Sequence, residues 1–583
     1  DLRMHLSKLT RYLYGTYGTR GSASGTRDEH FCSCFLNLLS PTIIQKSVLF
    51  IQAECCSLVF RMSATSESVN GGVPSSRSDG SIGSSESPEV DLSSLEFRLQ
   101  QFRKHTVDTV NEELKDVTKD MLNEVSRTMK GLTSVDNDRA HGQKVFRARD
   151  SVLTYLLQST HIQTLYNIFV AILIIFAVNT VISDYLEHGR LVLNFSMLLW
   201  AFEQMPIVIT TWIVMKSTTL AVYPLFLGYV DIRGSARGTN RRLVDGAYLS
   251  GYIFFLGVFL VGPVFIIARN QIPPGSALII LCEQVRMIMK IHSFIRETVP
   301  RVLMFSRESK ANANVHDVLP GFSQYLYFLF CPTLLYRDNY PRTEHTRWTY
   351  VISNMGQVAG CLLYVYYIFV RFCVPVFSET GRQPWNTRTF ILGVMNCMLP
   401  STMVFVLGFF SILHSWLNAF AEMMGFADRM FYKDWWNCRS WADYYRKWNV
   451  VVHDWLHAYV YNDVQMCVPE AYKKNRLVAM FTVFIVSAFV HEYIIAATFG
   501  FFFPVLLLMF GGIGVSFVFL THQRQSRIWN IFMWVMLFFG NGLLMCLYSI
   551  EFYSRQNCAD KMETWLDILI PNMLTCDSWP DVS

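Results

Sequence analysis

One histidine stands inside an apolar run, "VFIVSAFVHEYIIAA", where His491 is followed by Glu492. An ionisable pair in such a segment is costly and needs a reason. Burial favours the neutral imidazole, and a neutral imidazole is a base. His491 could take a proton from an alcohol held beside it. The competing reading is a histidine that only hydrogen-bonds a neighbouring helix.

A second set of reactive side chains lies upstream, in "RMFYKDWWNCRSWADYYRKWNVVVHDWLHAY" (429–459). Asn449 and His453 are four apart and share a face if this stretch is helical. An amide such as Asn449 can donate to a developing oxyanion or hold a substrate oxygen. Lys433, Arg439, Arg446 and Lys447 suit an anion such as the phosphates of coenzyme A. Cations beside a membrane also bind lipid headgroups or mark topology. Trp435, Trp436, Trp441, Trp448 and Trp455 each suit an interfacial belt, and together they predict a loop on or in the membrane surface. The i, i+4 histidines of "HDWLH", His453 and His457, look like a metalloprotease helix. That motif needs a glutamate after the first histidine and a third ligand. Here an aspartate follows and no third ligand is apparent, so no metal is expected.

These groups must be held by membrane-embedded helices. The 583 residues are 52% hydrophobic, 15% aromatic and only 16% charged, where soluble domains average about 25% charged. Nine spans are expected, near 163–182, 192–215, 247–268, 275–294, 350–370, 390–413, 477–497, 501–520 and 528–549. The fourth carries Glu283, Arg286 and Lys290, which survive only facing protein or water. Every second loop is basic. Lys130 to Arg149 precede the first span, Lys216 to Arg242 follow the second, and Arg296 to Lys310 follow the fourth. The 429–459 stretch follows the sixth, and Arg524 and Arg527 follow the eighth. The excess of positive loop charge on the cytosolic side puts the N-terminus and the aromatic loop in the cytosol. An odd span count sends the C-terminus to the lumen. There Cys558 and Cys576 are expected to pair, the alternative being two free thiols.

Ahead of the spans, residues 1–61 show no ordered signal peptide, and Met62 is the expected native start, with 1–61 an unstructured or non-native extension. Residues 62–93 are rich in Ser, Gly and Glu and are expected to be disordered. Residues 94–131 predict one solvated helix. Its seam, Val107, Val110, Leu114, Val117 and Met121, steps 3, 4, 3, 4 and suits self-association; packing on the membrane domain is the alternative.

"FYKDWWN" (431–437), "WNVVVHDW" and "FVHEY" (489–493) resemble the sterol O-acyltransferases of the membrane-bound O-acyltransferase superfamily. So do "HSFIRETVPRVL" (292–303), "QYLYFLFCPTLLYRDNYPR" (324–342), "LNAFAEMM" and "GNGLLMCLYSIEFYSRQNC" (540–558). The resemblance runs from about residue 94 to the end. It implies an all-α polytopic membrane-bound O-acyltransferase fold over 132–549, with a lumenal tail at 550–583. Acyl transfer from acyl-CoA to a sterol 3-hydroxyl is the implied reaction, with His491 as base and Asn449 as the second essential residue. Trp448 is a further candidate oxyanion donor, and Phe431, Tyr432, Lys433, Asp434, Trp435, Trp436, Asn437, Arg446 and His453 are candidate substrate-binding residues. No cofactor, no covalent acyl-enzyme and no nucleic-acid partner are expected. The family implies a homodimer or homotetramer in the endoplasmic reticulum membrane, with a tail disulfide. "CRSWADYYRK" and residues 464–476 depart from the pattern and bear on acyl-chain preference. The diacylglycerol acyltransferases are the near alternative, sharing the Asp-Trp-Trp core. They typically carry arginine where Lys433 stands. The alternative of a different class is a transporter, in which Glu283, Arg286, Lys290 and His491 would line a pathway.

Overall fold

The computed structural model describes Lys115 and residues 139–140, 143–189, 195–308, 319–378, 380, 387–467, 476–524, 526–557 and 568–575. The 1–61 extension, the 62–93 segment, the 107–121 seam apart from Lys115, and both Cys558 and Cys576 lie outside the described residues.

Apart from a two-residue antiparallel pair, β1 (Arg139–Ala140) and β2 (Gln143–Lys144), the described residues build helices. In order these are α1 (Val152–Leu156), α2 (Thr160–His188), α3 (Ser196–Ala201), α4 (Met205–Ser235), α5 (Thr239–Asn270) and α6 (Pro274–Glu308). Then come α7 (Phe322–Phe330), α8 (Trp348–Phe377) and α9 (Thr387–Met423). The loop region holds α10 (Trp441–Trp448) and α11 (450–467). The chain continues with α12 (Leu477–Phe499), α13 (Val505–Leu520), α14 (Ile528–Asn557) and α15 (Asn572–Thr575).

Each of the nine expected segments contains helix among the described residues, the second broken at 202–204 and the eighth helical only from Val505. Among the described residues, seven helices are long and apolar enough to cross a membrane. The eighth expected span, α13, is apolar but shorter. The fourth, α6, is a continuous 35-residue helix whose charges are tied down within the protein. Glu283 pairs with Arg286 at 2.6 Å and accepts from the Trp212 indole at 2.9 Å. Lys290 is 1% exposed and donates to the carbonyls of Phe328 and, at 2.8 Å, Cys331. Those carbonyls end α7, where the helix dipole favours a cation. Protein contacts thus carry these charges.

Lys216 corrects the loop reading. It was expected after the second span, yet α4 runs on to Ser235 and buries it to 6% exposure, with its ammonium over Phe330 at 4.8 Å. The extension of the helix past 215 is what removes Lys216 from the loop.

The elements around the aromatic loop pack closely: α9 lies along α14, and α12 against α6. Gly425 stops α9. Its φ of +62° is a left-handed conformation that side chains resist, and Phe426 N–H then donates back to Ala421 O at 2.8 Å. This turn delivers residues 426–440 across the helix ends.

Candidate active site

Part of the 429–459 stretch is buried within the protein. Phe431, Tyr432, Trp435 and Trp441 are 1%, 0%, 2% and 7% exposed and form an apolar core with Phe409, Tyr444, Val518, Met533 and Leu537. Trp435 is its hub, with edge-on contacts to Phe409 (5.1 Å), Trp448 (4.8 Å) and Tyr444 (5.9 Å). Of the five tryptophans, Trp435 and Trp441 bury against other rings and against α9 and α14, while Trp436, Trp448 and Trp455 are half-buried. Lys433, Asp434 and Trp436 are half-buried, and Asn437 is exposed.

Three elements fix the loop backbone. From α14, Asn530 Nδ2 donates to the carbonyls of Trp436 (3.0 Å) and Cys438 (2.8 Å), and the Trp534 indole donates to Trp436 O at 3.2 Å. From the residue that ends α13, Thr521 Oγ1 accepts the Trp441 N–H at 3.0 Å. The third is the strap of residues 145–153. Arg149 N donates to Ala427 O, Arg429 N donates to Arg149 O, and the Arg149 guanidinium grips both Asp428 oxygens, at 2.8 and 3.3 Å. Leu153 N donates to the Tyr432 hydroxyl at 3.3 Å.

Asn449 is not on a continuous helix with His453. It caps α11, with φ −138° and ψ 89°, between α10 and α11. Its Oδ1 accepts from Val452 N at 3.1 Å, and its carbonyl accepts from His453 N at 3.0 Å. Capping occupies the acceptor and fixes the amide, while Nδ2 makes no hydrogen bond among the described residues. The next residue, Val450, donates from N to Phe431 O at 2.9 Å, so Asn449 is held to the "FYKDWWN" segment.

The cations are partly committed. Lys447 pairs with Asp434 at 2.9 Å. Burial lowers the Lys447 ammonium, but the Asp434 hydrogen bond wins and holds it above its ordinary value. Arg446 is exposed and pairs with Asp443. His453 is half-buried, 3.5 Å from Asp454, which also pairs with Lys144 at 2.7 Å. Burial pushes the Asp454 carboxyl up, but His453 and Lys144 together hold it well below the carboxylate range.

His491 sits on α12. Its Nδ1 is 2.7 Å from Ser487 O. A carbonyl only accepts, so Nδ1 carries the proton and donates, leaving Nε2 with the lone pair. The ring stacks on Phe510 at 5.4 Å. Deep burial was expected, but His491 is exposed, while its neighbour Glu492 is 2% exposed. Adjacent helix positions point about 100° apart, which explains the difference. Glu492 faces the next helices, accepting from Leu507 N at 3.0 Å and from the Tyr548 hydroxyl at 3.2 Å. It fastens α12 to the start of α13 and to α14.

A chain of rings links His491 to the aromatic loop: His491 to Phe510 (5.4 Å), Phe510 to Tyr445 (5.2 Å), Tyr445 to Tyr444 (5.4 Å) and Tyr444 to Trp448 (5.8 Å). Trp448 itself lies flat on Phe405 at 4.4 Å.

One buried residue escaped the sequence reading. His414, 3% exposed in a π-helical stretch of α9 (Phe409–Trp416), meets the Tyr432 hydroxyl at 2.7 Å. Tyr432 accepts from Leu153 N and also hydrogen-bonds His414 Nδ1. Ser151 and Asn418 complete this network at 3.3 Å each. Its signal was present, since "SILHSWLNAF" is also a histidine in an apolar run. The arrangement as a whole offers a base with a defined lone pair, an amide donor, and a clamped cationic loop.

Residues 278–550 match the model of the membrane-bound O-acyltransferase family. The chain is 46% identical over 437 residues to sterol O-acyltransferase 1 of Mus musculus, covering 74% of this chain and 79% of the relative. It is 43% identical over 437 residues to sterol O-acyltransferase 2 of Homo sapiens, covering 74% and 80%.

Proposed function

Because the chain belongs to the membrane-bound O-acyltransferase family and within it to the sterol O-acyltransferases, we propose that it moves a fatty acyl group from acyl-CoA to a sterol hydroxyl. The products are a sterol ester and free CoA. The protein is a multi-pass membrane acyltransferase.

His491 Nε2 takes the proton of the sterol 3-hydroxyl as that oxygen attacks the thioester carbonyl. The new ester C–O bond forms, the C–S bond breaks, and the proton passes to the departing thiolate. A thiol with a pKa near 8.5 leaves with little acid help. Asn449 Nδ2 is the donor offered to the oxyanion, with Trp448 holding the loop beside it. The observation that carries this reading is the Nδ1–Ser487 bond, because it leaves Nε2 as the basic nitrogen on an exposed ring. The transfer is direct. Cys438, the thiol of the loop, is pushed up to about 12 by burial and is poorly suited as a nucleophile. No cofactor takes part. Lys433, Asp434, Trp436, Asn437, Arg446 and His453 receive the CoA head, while buried Phe431, Tyr432 and Trp435 support them from beneath. The protein works as a homodimer or homotetramer in the endoplasmic reticulum membrane, its aromatic loop cytosolic and its C-terminus lumenal.

The test uses microsomes from cells lacking their own esterifying enzymes, given labelled oleoyl-CoA with cholesterol or with diacylglycerol. Sterol ester is expected. His491→Gln and His491→Ala should cut its formation about 100- to 10,000-fold. Ester formation that persists in both variants rejects His491 as base. Triacylglycerol in place of sterol ester moves the protein to the diacylglycerol branch, and no ester at all favours the transporter.

A further inference from the structure

We propose that Tyr445 sets the width of the path by which the acyl chain reaches His491, and so selects among acyl chains. The inference rests on the acyl-transfer reading above and adds a specificity-determining residue to it.

Tyr445 lies on α10, one turn before Asn449, and its ring leaves the loop core towards α12 and α13. It meets Phe484 edge-on at 4.9 Å and Phe510 edge-on at 5.2 Å. Phe484 and His491 are seven residues apart on α12, two turns along one face. Phe510 stacks on His491 itself. The Tyr445 ring thus stands between the clamped loop and the face of α12 that carries the base. An extended chain delivered from the loop to His491 runs along these rings.

The opposite wall is shaped to take the tyrosine. α13 contains a π-helical stretch, Met509–Gly514, holding Gly511, Gly512 and Gly514. Such widened turns are frequent at functional sites. A Cβ at Gly514 would overlap the Tyr445 hydroxyl and come to 3.3 Å from Met509 O, whereas the ring carbon bearing that hydroxyl would be 3.6 Å away, an ordinary contact. The hydroxyl makes no hydrogen bond among the described residues. A hydrogen bond therefore does not hold it there; contact does. The half-buried ring acts as a wall whose position depends on the absence of a side chain at 514.

The experiment measures kcat/KM of the full-length protein in membranes for a series of acyl-CoAs, from short saturated to long and branched chains, with cholesterol. The readout is the ratio between chains, which does not depend on how much protein folds. Y445A should raise the long-to-short ratio about tenfold or more, the scale on which a pocket tells chains apart. G514A should lower the ratio by driving the ring into the path. Y445F/G514A should return it towards wild type, because loss of the hydroxyl makes room for the new methyl. Ratios unchanged in Y445A and G514A would overturn the proposal. If Y445A forms no ester, the G514A and Y445F/G514A pair decides: a lowered ratio restored by the second change supports the wall, and a lowered ratio not restored overturns it. Absence of sterol ester from the wild-type protein would instead reject the underlying acyl-transfer reading.

Discussion

Arg149→Ala tests whether the strap ahead of the first span holds the aromatic loop in register. Asp428 is 1% exposed at its side chain and Arg149 17%. Without the guanidinium, the carboxylate keeps the backbone N–H groups of Arg147 at 3.3 Å and Met430 at 3.4 Å, both long. Removing one partner of a buried ion pair costs about 3–5 kcal/mol, because the other charge is stranded. The remaining N–H groups and the partial exposure of Arg149 put this case at the lower end, about 3 kcal/mol. Asp428→Asn removes the charge that would be stranded. The double variant should then cost less than the sum of the singles, by roughly 1–3 kcal/mol.

The assay is a double-mutant cycle on the purified protein in detergent, following tryptophan fluorescence, since Trp435 and Trp441 sit in the core beneath the strap. The same four proteins are assayed for KM. The strap reaches Tyr432 through Leu153 and the backbone of 427–429 directly, so KM for acyl-CoA should rise while KM for sterol changes little. Singles that add within about 0.5 kcal/mol would refute the coupling. A cycle that couples in stability with both KM values unchanged would refute the link from strap to substrate loop.

Two further outcomes follow from the contacts. Glu492→Gln keeps an acceptor for Leu507 N and should stay near wild type, whereas Glu492→Leu strands that N–H at about 1–3 kcal/mol, read as a lowered thermal midpoint, while Tyr548 keeps Phe503 O at 3.0 Å. Asp454 has a folded pKa depressed below its unfolded value, so its ion pairs stabilise fully above the ordinary carboxylate range and are lost as pH falls through the folded value. Limited proteolysis of the loop should therefore be unchanged between pH 7 and about 5 and should rise only in stronger acid. Asp454→Asn should abolish that acid dependence and raise cleavage at pH 7.

Much of the fold is written in hydropathy, and each of the nine expected segments contains helix among the described residues. What hydropathy could not say is where charge goes. Glu283, Arg286 and Lys290 looked like a weak span. They are a helix whose cations end another helix, a pairing between α6 and the carbonyls of α7 that are about 40 residues apart in sequence. Lys216 misled in the opposite direction. Its position just past an apolar run suggested a loop, yet α4 continues to Ser235 even past Pro224. Local pattern sets the element, while the fate of a charge is decided by partners remote in sequence.

The site shows the same division. Residue type and spacing picked out His491 and Asn449, because a histidine in an apolar run and an amide near it are chemically conspicuous. Their geometry was not legible. Asn449 was expected on a helical face and is instead a cap, since its side chain satisfies a free N–H at the start of α11. Taken singly, the tryptophans read as belt residues, whereas Trp435 and Trp441 belong to a shared ring core. That core has a functional consequence. A loop lying on the bilayer would follow the lipid, whereas one nailed to α9, α13, α14 and the strap keeps its cations and Asn449 at fixed separations. The chemistry proposed for His491 needs that rigidity, since a donor displaced by about 1 Å can cost 100-fold in rate. The rule that flagged His491 flags His414 equally. What separates them is surroundings: His414 is enclosed and spends Nδ1 on Tyr432, within the loop's own anchor, while His491 is exposed and spends Nδ1 on its own helix, leaving the other nitrogen for substrate.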